Sequence, residues 1–343
     1  MNQATGTTLN LPVLDLRRFE RGSAERESFL SDLRAAARDV GFFYLTGHGI
    51  AQQRIDGVFG LARRFFELSE QEKLAIEMVN SPHFRGYTRA GLEVTRGRRD
   101  WREQIDIGAE LPAVPRRPDL PAWTRLQGPN QWPGAIPEFR TNLLEWQAEV
   151  TDLSVRILRA FALSLGQPAD VFSPIYEGAP NRLIKLIRYP GRDRTADDQG
   201  VGAHKDSGFL TLLLQDAQKG LQVETAAGWV DAEPLRGAFV VNIGELLELA
   251  SNGYLRATVH RVVTPPAGTD RISIAFFMGA RLDATVPRLD LSRELAAEAT
   301  GPTADPLNPL FREVGKNYLK GRLRSHPDVA QRHHADLLER SPS

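Results

Sequence analysis

The chain has 343 residues, 41% of them hydrophobic and 25% charged, which is the make-up of a globular protein with room for a sizeable core. Its 43 Lys and Arg balance 43 Asp and Glu. This argues against a nucleic-acid partner held by bulk positive charge, since phosphate affinity comes largely from displaced counterions. There is no cysteine, so disulfides, zinc–thiolate sites, cysteine-ligated clusters and cysteine nucleophiles are excluded.

No apolar run approaches the roughly 20 residues that span a bilayer. The polar stretch 1–11 lacks the basic-then-apolar pattern of an export signal. The expected setting is therefore cytoplasmic, with no membrane partner and a small molecule as the partner. The sequence specifies no oligomeric state.

In chain order, residues 11–16 (LPVLDL) predict a short strand, and 24–38 place Phe29, Leu30, Leu33, Ala36 and Ala37 on one helical face. Residues 40–46 are a β-rich run that stops at Gly47-His48-Gly49, where His48 is expected to make a structural hydrogen bond. An amphipathic helix follows over 51–67, and Ser69 with Glu72 writes a capping box for a third. Residues 79–137, rich in Gly, Pro and Arg, read as loops and short elements that cover a site. A long helix over 137–165 ends at Gly166, with Pro168 beyond it.

From Asn181 the period turns strand-like, over 183–189, 209–215, 221–224, 229–232, 238–243, 258–263 and 271–278. Short strands at this density predict a barrel or sandwich. The tail from Asn308 is helical and basic. Asn242 and Asn252 read as turn or strand-end positions. The predicted class is mixed α+β, with a helical N-terminal region and covering loops over 1–180. A β core follows over 181–285, and a partly helical extension over 286–343. No linker is visible, so one integrated unit is expected.

Chemistry concentrates in His204-Lys205-Asp206 and in His260, 54 residues after Asp206. Alternate residues of an extended segment share a side, so His204 and Asp206 converge while Lys205 points away. Two imidazoles and a carboxylate can occupy one face of a metal, the ligand set of non-haem Fe(II) oxygenases, which leaves positions open for O2 and a co-substrate. An isolated HxD is common by chance, and a strand histidine is commonly a hydrogen-bonded core residue. Arg271-Ile272-Ser273 strengthens the metal reading. Arg271 opens an otherwise apolar strand and needs a partner, because a buried unpaired charge is costly. A co-substrate carboxylate would supply one in bidentate form, and a protein acid is the other option.

Taken together, PVLDL, AARDVGFFYLTGHGI, FFELSEQEK, RYP at 188–190, GAHKDSGFLTLLLQD, GLQVE, FVVNIGELLELASNG, ATVHRVV and DRISIAFF resemble the isopenicillin N synthase-like branch of Fe(II)/2-oxoglutarate-dependent oxygenases. The resemblance covers roughly residues 11–281. It implies a double-stranded β-helix (jelly-roll) core with the helical N-terminal region packed on it. It implies His204, Asp206 and His260 as the iron ligands. Arg271 and Ser273, with Tyr189, would hold 2-oxoglutarate. Many relatives carry Asn two positions before that tyrosine, where this chain has Ile187. Lys185 falls near a position that sometimes faces the site, or is a solvent-facing strand lysine.

The implied reaction uses O2 to hydroxylate, desaturate or cyclise a small polar molecule, with release of succinate and CO2. An acidic second ligand, Asp206, argues against halogenation. Segments 83–95 and 101–106 correspond to the family's variable cover, which makes Arg85, Tyr87, Glu93 and Gln104 candidates for the substrate side. Phe277 joins them because it shares a strand face with Arg271 and Ser273. Charges of both signs in the cover fit a polar or zwitterionic substrate, such as an amino acid or a natural-product intermediate. Two alternatives keep the same motifs. One is a 2-oxoglutarate-independent oxidase of the isopenicillin N synthase type; the other is a non-catalytic β-barrel binding protein.

Overall fold

In the computed structural model, residues 11–306 and 308–338 are described. The N-terminal stretch up to Asn10, where no export signal is read, lies outside them. The first part of the chain alternates strands and helices: β1 (Val13–Asp15), α1 (Arg17–Glu20), α2 (Ser23–Asp39), β2 (Phe42–Thr46), α3 (Gln52–Phe66) and α4 (Glu70–Leu74). Then come β3 (Gly86–Thr88), β4 (Val94–Thr95), β5 (Arg98–Arg99), β6 (Glu103–Gly108), α5 (Phe139–Ser164) and α6 (Ser173–Tyr176). The β-rich part supplies β7 (Arg182–Tyr189), β8 (Gln199–His204), β9 (Leu210–Gln215), β10 (Leu221–Thr225), β11 (Gly228–Asp231) and β12 (Phe239–Ile243). After α7 (Glu245–Ala250) come β13 (His260–Val263), β14 (Arg271–Met278), α8 (Arg293–Glu298), α9 (Val314–Ser325) and α10 (Pro327–Leu338).

Local chemistry sets several of these boundaries. The capping box forms as predicted, with Ser69 Oγ accepting from the Glu72 amide at 3.3 Å and Glu72 Oε2 accepting from the Ser69 amide at 2.9 Å. Helix α2 ends at Gly41, whose φ of 74° lets its N–H reach Ala36 O at 2.9 Å. A β-carbon there would lie 2.4 Å from Arg256 O, so the turn and the close approach both require glycine.

Strands form an eight-stranded sheet, β1-β2-β12-β9-β14-β7-β6-β3, and a four-stranded sheet, β11-β10-β13-β8. The pairings are antiparallel apart from β1 with β2. Alternation sorts the large sheet into two faces. Ile184, Leu186, Leu212, Leu214, Ile272, Ile274 and Phe276 join the apolar core that includes α2, α3 and α5 residues such as Phe29, Phe65 and Trp146. Tyr44, Ile187, Tyr189, Val240 and Ala275 form a second core with Val201, Leu221, Val223 and Val262 of the small sheet. The jelly roll is thus closed on its outer face by helices, and its inner face encloses the space between the sheets.

The helices of region 1–180 pack on the β core as expected, and the same region also supplies half the strands of the large sheet, β1, β2, β3 and β6. Segment 79–137 is likewise more than cover, since every residue of β6 is buried within that sheet. Its inward positions Gln104 and Asp106 are polar, so the run lacks the apolar signature of a buried strand.

Candidate active site

His204 closes β8 and His260 opens β13, and they are register partners in the small sheet. Their ring centroids are 4.3 Å apart. Asp206 follows just past the end of β8, with Lys205 turned away to pair with Glu248 at 3.2 Å. The Nε2 atoms of His204 and His260 lie 3.5 and 3.7 Å from one oxygen, Oδ1 of Asp206. All three ligand atoms fall within 4.8 Å of one another, close enough to share one ion.

Neighbours fix each ligand. Nδ1 of His204 donates to Gly202 O at 2.8 Å and Nδ1 of His260 to Thr258 O at 3.1 Å, which leaves each Nε2 lone pair facing Asp206. The other Asp206 oxygen, Oδ2, accepts from Thr211 Oγ1 at 2.5 Å and Asn242 Nδ2 at 2.8 Å. Burial pushes His260 down to about 4, so its imidazole is neutral at physiological pH. Burial also opposes ionisation of Asp206, but the two neighbouring imidazoles, His260 and His204, and its hydrogen bonds hold the carboxyl well below its usual range. At His204, burial is outweighed by the Asp206 carboxylate, which raises it. The donor set, two imidazoles and an ionised carboxylate with their outer atoms tied down, fits a divalent iron.

Arg271 and Ser273 stand on the inner face of β14, both fully buried. Arg271 donates Nη2 to Gln215 Oε1 at 2.8 Å and Nε to Gln218 O at 3.3 Å, and its guanidinium lies 4.9 Å from the Tyr189 ring centroid. Arg271 Nη1 and Ser273 Oγ have no partner at all. Two orphaned donors in a dry wall are expensive unless a ligand satisfies them, and a carboxylate fits both. No protein acid pairs with Arg271 among the described residues, so the salt-bridge alternative is not realised. Ile187, the register partner of Ser273, is packed among apolar neighbours and offers no polar contact.

The expected substrate-side residues divide. Gln104 and Glu93 are buried beside the inner face, and Phe277 is half-buried against the inner core. Tyr87 is not at the site. It pairs with Ile105 on the helix-facing side, packs on Phe65, and donates to Glu103 Oε2 at 2.6 Å. Strand parity excludes it, because its neighbours Gly86 and Thr88 take the inward face. Arg85 is committed to backbone carbonyls, those of His83 at 2.8 Å and Leu126 at 3.1 Å, and so ties two loops together. Lys185 is not solvent-facing: it is buried and pairs with Glu93 at 3.0 Å. His48 plays its expected structural part, with Nε2 on Gly237 O at 2.8 Å.

Thr211, Gln215 and Asn242 are further residues of the site that the sequence motifs leave out. Asn242 is the penultimate residue of β12, at a strand end rather than in a turn. A polar residue in the apolar run FVVNI is the available signal, since a buried amide must find a partner.

Comparison with known proteins agrees with this geometry. Residues 11–135 match the family model for the N-terminal region of the non-haem dioxygenases of morphine synthesis, and 180–280 match that of the 2OG-Fe(II) oxygenase superfamily. The chain is 36% identical over 340 residues to the 2-oxoglutarate-dependent dioxygenase frbJ of Dothideomycetidae sp. (strain 11243), covering 94% of this chain and 91% of that protein. It is 38% identical over 302 residues to a homoarginine-6-hydroxylase of Arabidopsis thaliana, covering 83% and 89%. Among solved structures, full-length Neurospora crassa T7H in complex with alpha-KG superposes with a TM-score of 0.73 at 26% identity, covering 93% of this chain and 97% of that one. A 2OG-Fe(II) oxygenase family protein of Caulobacter crescentus gives 0.72 at 29% identity, covering 92% and 98%. The chain belongs to the 2OG-Fe(II) oxygenase superfamily, and is a 2-oxoglutarate-dependent dioxygenase that works with Fe(II) and O2.

Proposed function

We propose that His204, Asp206 and His260 hold the iron, that Arg271 and Ser273 hold the far carboxylate of 2-oxoglutarate, and that the enzyme hydroxylates a small polar molecule in the cytoplasm. The observation that carries this is the pair of buried, unpartnered donors, Arg271 Nη1 and Ser273 Oγ, on the inner face of the large sheet, while the three convergent ligands sit on or just beyond strands of the small sheet that shares the inner core. When bound, iron and the keto acid supply the oxidising chemistry, in which substrate, 2-oxoglutarate and O2 become alcohol, succinate and CO2.

The chain's own residues position and exclude. Gln215 and the Tyr189 ring fix the plane of the Arg271 guanidinium, so that it meets a carboxylate without reorganising. Thr211 and Asn242 hold Asp206 so that it presents a single oxygen. The apolar wall of Val240, Ile187, Ala275 and Val262 keeps the space dry. Similar proteins are associated with different molecules: one is named a homoarginine-6-hydroxylase, and T7H has been solved in complex with thymine.

Anaerobic titration of Fe(II) protein with 2-oxoglutarate tests the assignment. A visible charge-transfer band is expected, absent in His204→Ala and shifted to much higher 2-oxoglutarate in Arg271→Gln. A band that survives both substitutions unchanged refutes it. Iron binding without a band favours the 2-oxoglutarate-independent oxidase, and no iron binding favours a non-catalytic barrel.

A further inference from the structure

With Arg271 and Ser273 assigned to the co-substrate, the inner face still carries unexplained charge. On β6, Gln104 lies opposite Ile187 and Asp106 opposite Lys185, so all four side chains share the inward face. Carboxylates and cations alternate there. Arg102 contacts Glu93 at 2.8 Å and Asp100 at 3.7 Å. Lys185 contacts Glu93 at 3.0 Å and Asp106 at 3.6 Å. Arg322, from α9 of the C-terminal extension, closes on Asp106 at 2.7 Å. The strip abuts the residues assigned to the co-substrate, because Gln104 lies opposite Ile187, which is in turn the register partner of Ser273.

Three features set this strip apart from an ordinary buried ion-pair network. Its polar satisfaction is incomplete: Gln104 Oε1, an acceptor, and Arg102 Nε, a donor, are buried without partners. A half-satisfied network is worse for stability than an apolar wall, so stability alone does not account for it. Its charges also balance, Glu93, Asp100 and Asp106 against Arg102, Lys185 and Arg322. Finally, α9 brings a further buried polar group one turn before Arg322. This is the Tyr318 hydroxyl, close to Gly208 just after the iron-ligand segment.

We propose that Glu93, Arg102, Gln104, Asp106, Lys185 and Arg322 form the substrate-recognition wall, that α9 completes it, and that it takes a zwitterion of the α-amino-acid type. An ammonium group donates to Gln104 Oε1 and Asp106, and the carboxylate accepts from Arg102 Nε and Arg322. A zwitterion leaves the charge balance of the wall intact, whereas a monoanion brings an uncompensated charge into an enclosed space. The C-terminal extension is therefore part of the active site through Arg322, which selects the substrate by charge. This inference rests on the oxygenase reading above.

The test is calorimetric binding to full-length protein loaded with Mn(II) and 2-oxoglutarate. The probes are the common free L-amino acids and citrulline, set against indole-3-acetate (a monoanion) and thymine (neutral). At least one zwitterion is expected to bind while its N-acetyl form binds at least tenfold more weakly. Asp106→Asn and Arg322→Gln should each lower its affinity tenfold or more, with the Fe(II)–2-oxoglutarate band retained as proof of fold and co-substrate binding. Should either single variant misfold, the double variant Asp106→Asn/Arg322→Gln, which leaves no lone charge, is expected to recover the band without recovering amino-acid binding. The inference is overturned if no free amino acid binds, if indole-3-acetate or thymine binds instead, or if the variants bind as the wild type does. Loss of the band in the wild-type protein would instead sink the oxygenase reading beneath it.

Discussion

Asn242 donates its Nδ2 hydrogen to Oδ2 of Asp206 at 2.8 Å, and with Thr211 it takes up one side of that carboxylate. Groups of this kind set ligand orientation, and their loss typically costs about 10–100-fold in metal affinity. Asn242→Ala and Thr211→Val are each expected to weaken anaerobic Fe(II) binding by roughly that factor, as read by calorimetry. Wild-type affinity in both would show that Asp206 is held by other means.

Arg271 is fully buried with an unpartnered nitrogen. It contributes little to the stability of the protein without co-substrate, since an isostere of similar volume removes a desolvated charge. Arg271→Met is therefore expected to keep or raise the melting temperature of the protein alone. Wild-type protein should gain about 2.7 kcal/mol at 2-oxoglutarate one hundred times its Kd, and the variant none. A variant that melts well below wild type, yet is still stabilised by 2-oxoglutarate, contradicts both halves of this prediction.

The C-terminal helices should loosen in acid. His334 stacks on Phe84 at 5.2 Å and hydrogen-bonds Pro82 O at 2.9 Å, with Arg116, Arg125 and His333 as its charged or titratable neighbours. Burial pushes it from 6.5 down to about 4. Between those values the unfolded segment binds the extra proton. The contribution to stability is therefore complete above about 6.5 and is lost as pH falls towards 4. Hydrogen exchange across Pro327–Leu338, corrected for its intrinsic pH dependence, is expected to speed up below about pH 6. His334→Gln should lessen that acceleration, and an acceleration of equal size in the variant would place the sensitivity elsewhere.

Tyr87 provides a contrast with Gln104, one register step away on the neighbouring strand. Its hydroxyl bonds Glu103 on the helix side of the sheet. Tyr87→Phe is expected to leave the Kd for 2-oxoglutarate unchanged and to cost about 1.5–3 kcal/mol of stability, the worth of a hydrogen bond to a charged group. A changed Kd with unchanged stability would return Tyr87 to the site.

Contiguous signals were the legible ones. His204 and Asp206 are two positions apart and Arg271 and Ser273 share a strand face, so local alternation displays each pair. His260 needed only its spacing. Lys185, Asp106 and Arg322 meet through the pairing of β6 with β7 and the return of α9. Nothing local in WREQIDIGAE or NYLKGRLRSH announces that meeting. Strand β6 escaped for the same reason that makes it important. Its inward positions are polar, so a buried strand carries the composition of a loop. Phe277 was placed by parity alone, whereas Tyr87 failed because the cover segment gave no register from which to count.

The mixed parentage of the large sheet bears on how the chain reaches its native state. Strand β2 pairs with β12, joining Tyr44 to Val240 across 196 positions, and β6 pairs with β7, joining Ile105 to Leu186 across 81. Contacts so distant along the chain must meet a large loop-closure cost before they reward it, which slows folding. During synthesis, the segment holding β1 to β6 emerges with its strand edges unpaired and waits for partners made later. Exposed edges of this kind are templates for association with other chains. Fragments cut near residue 180 are accordingly expected to aggregate, and refolding yield should fall as protein concentration rises.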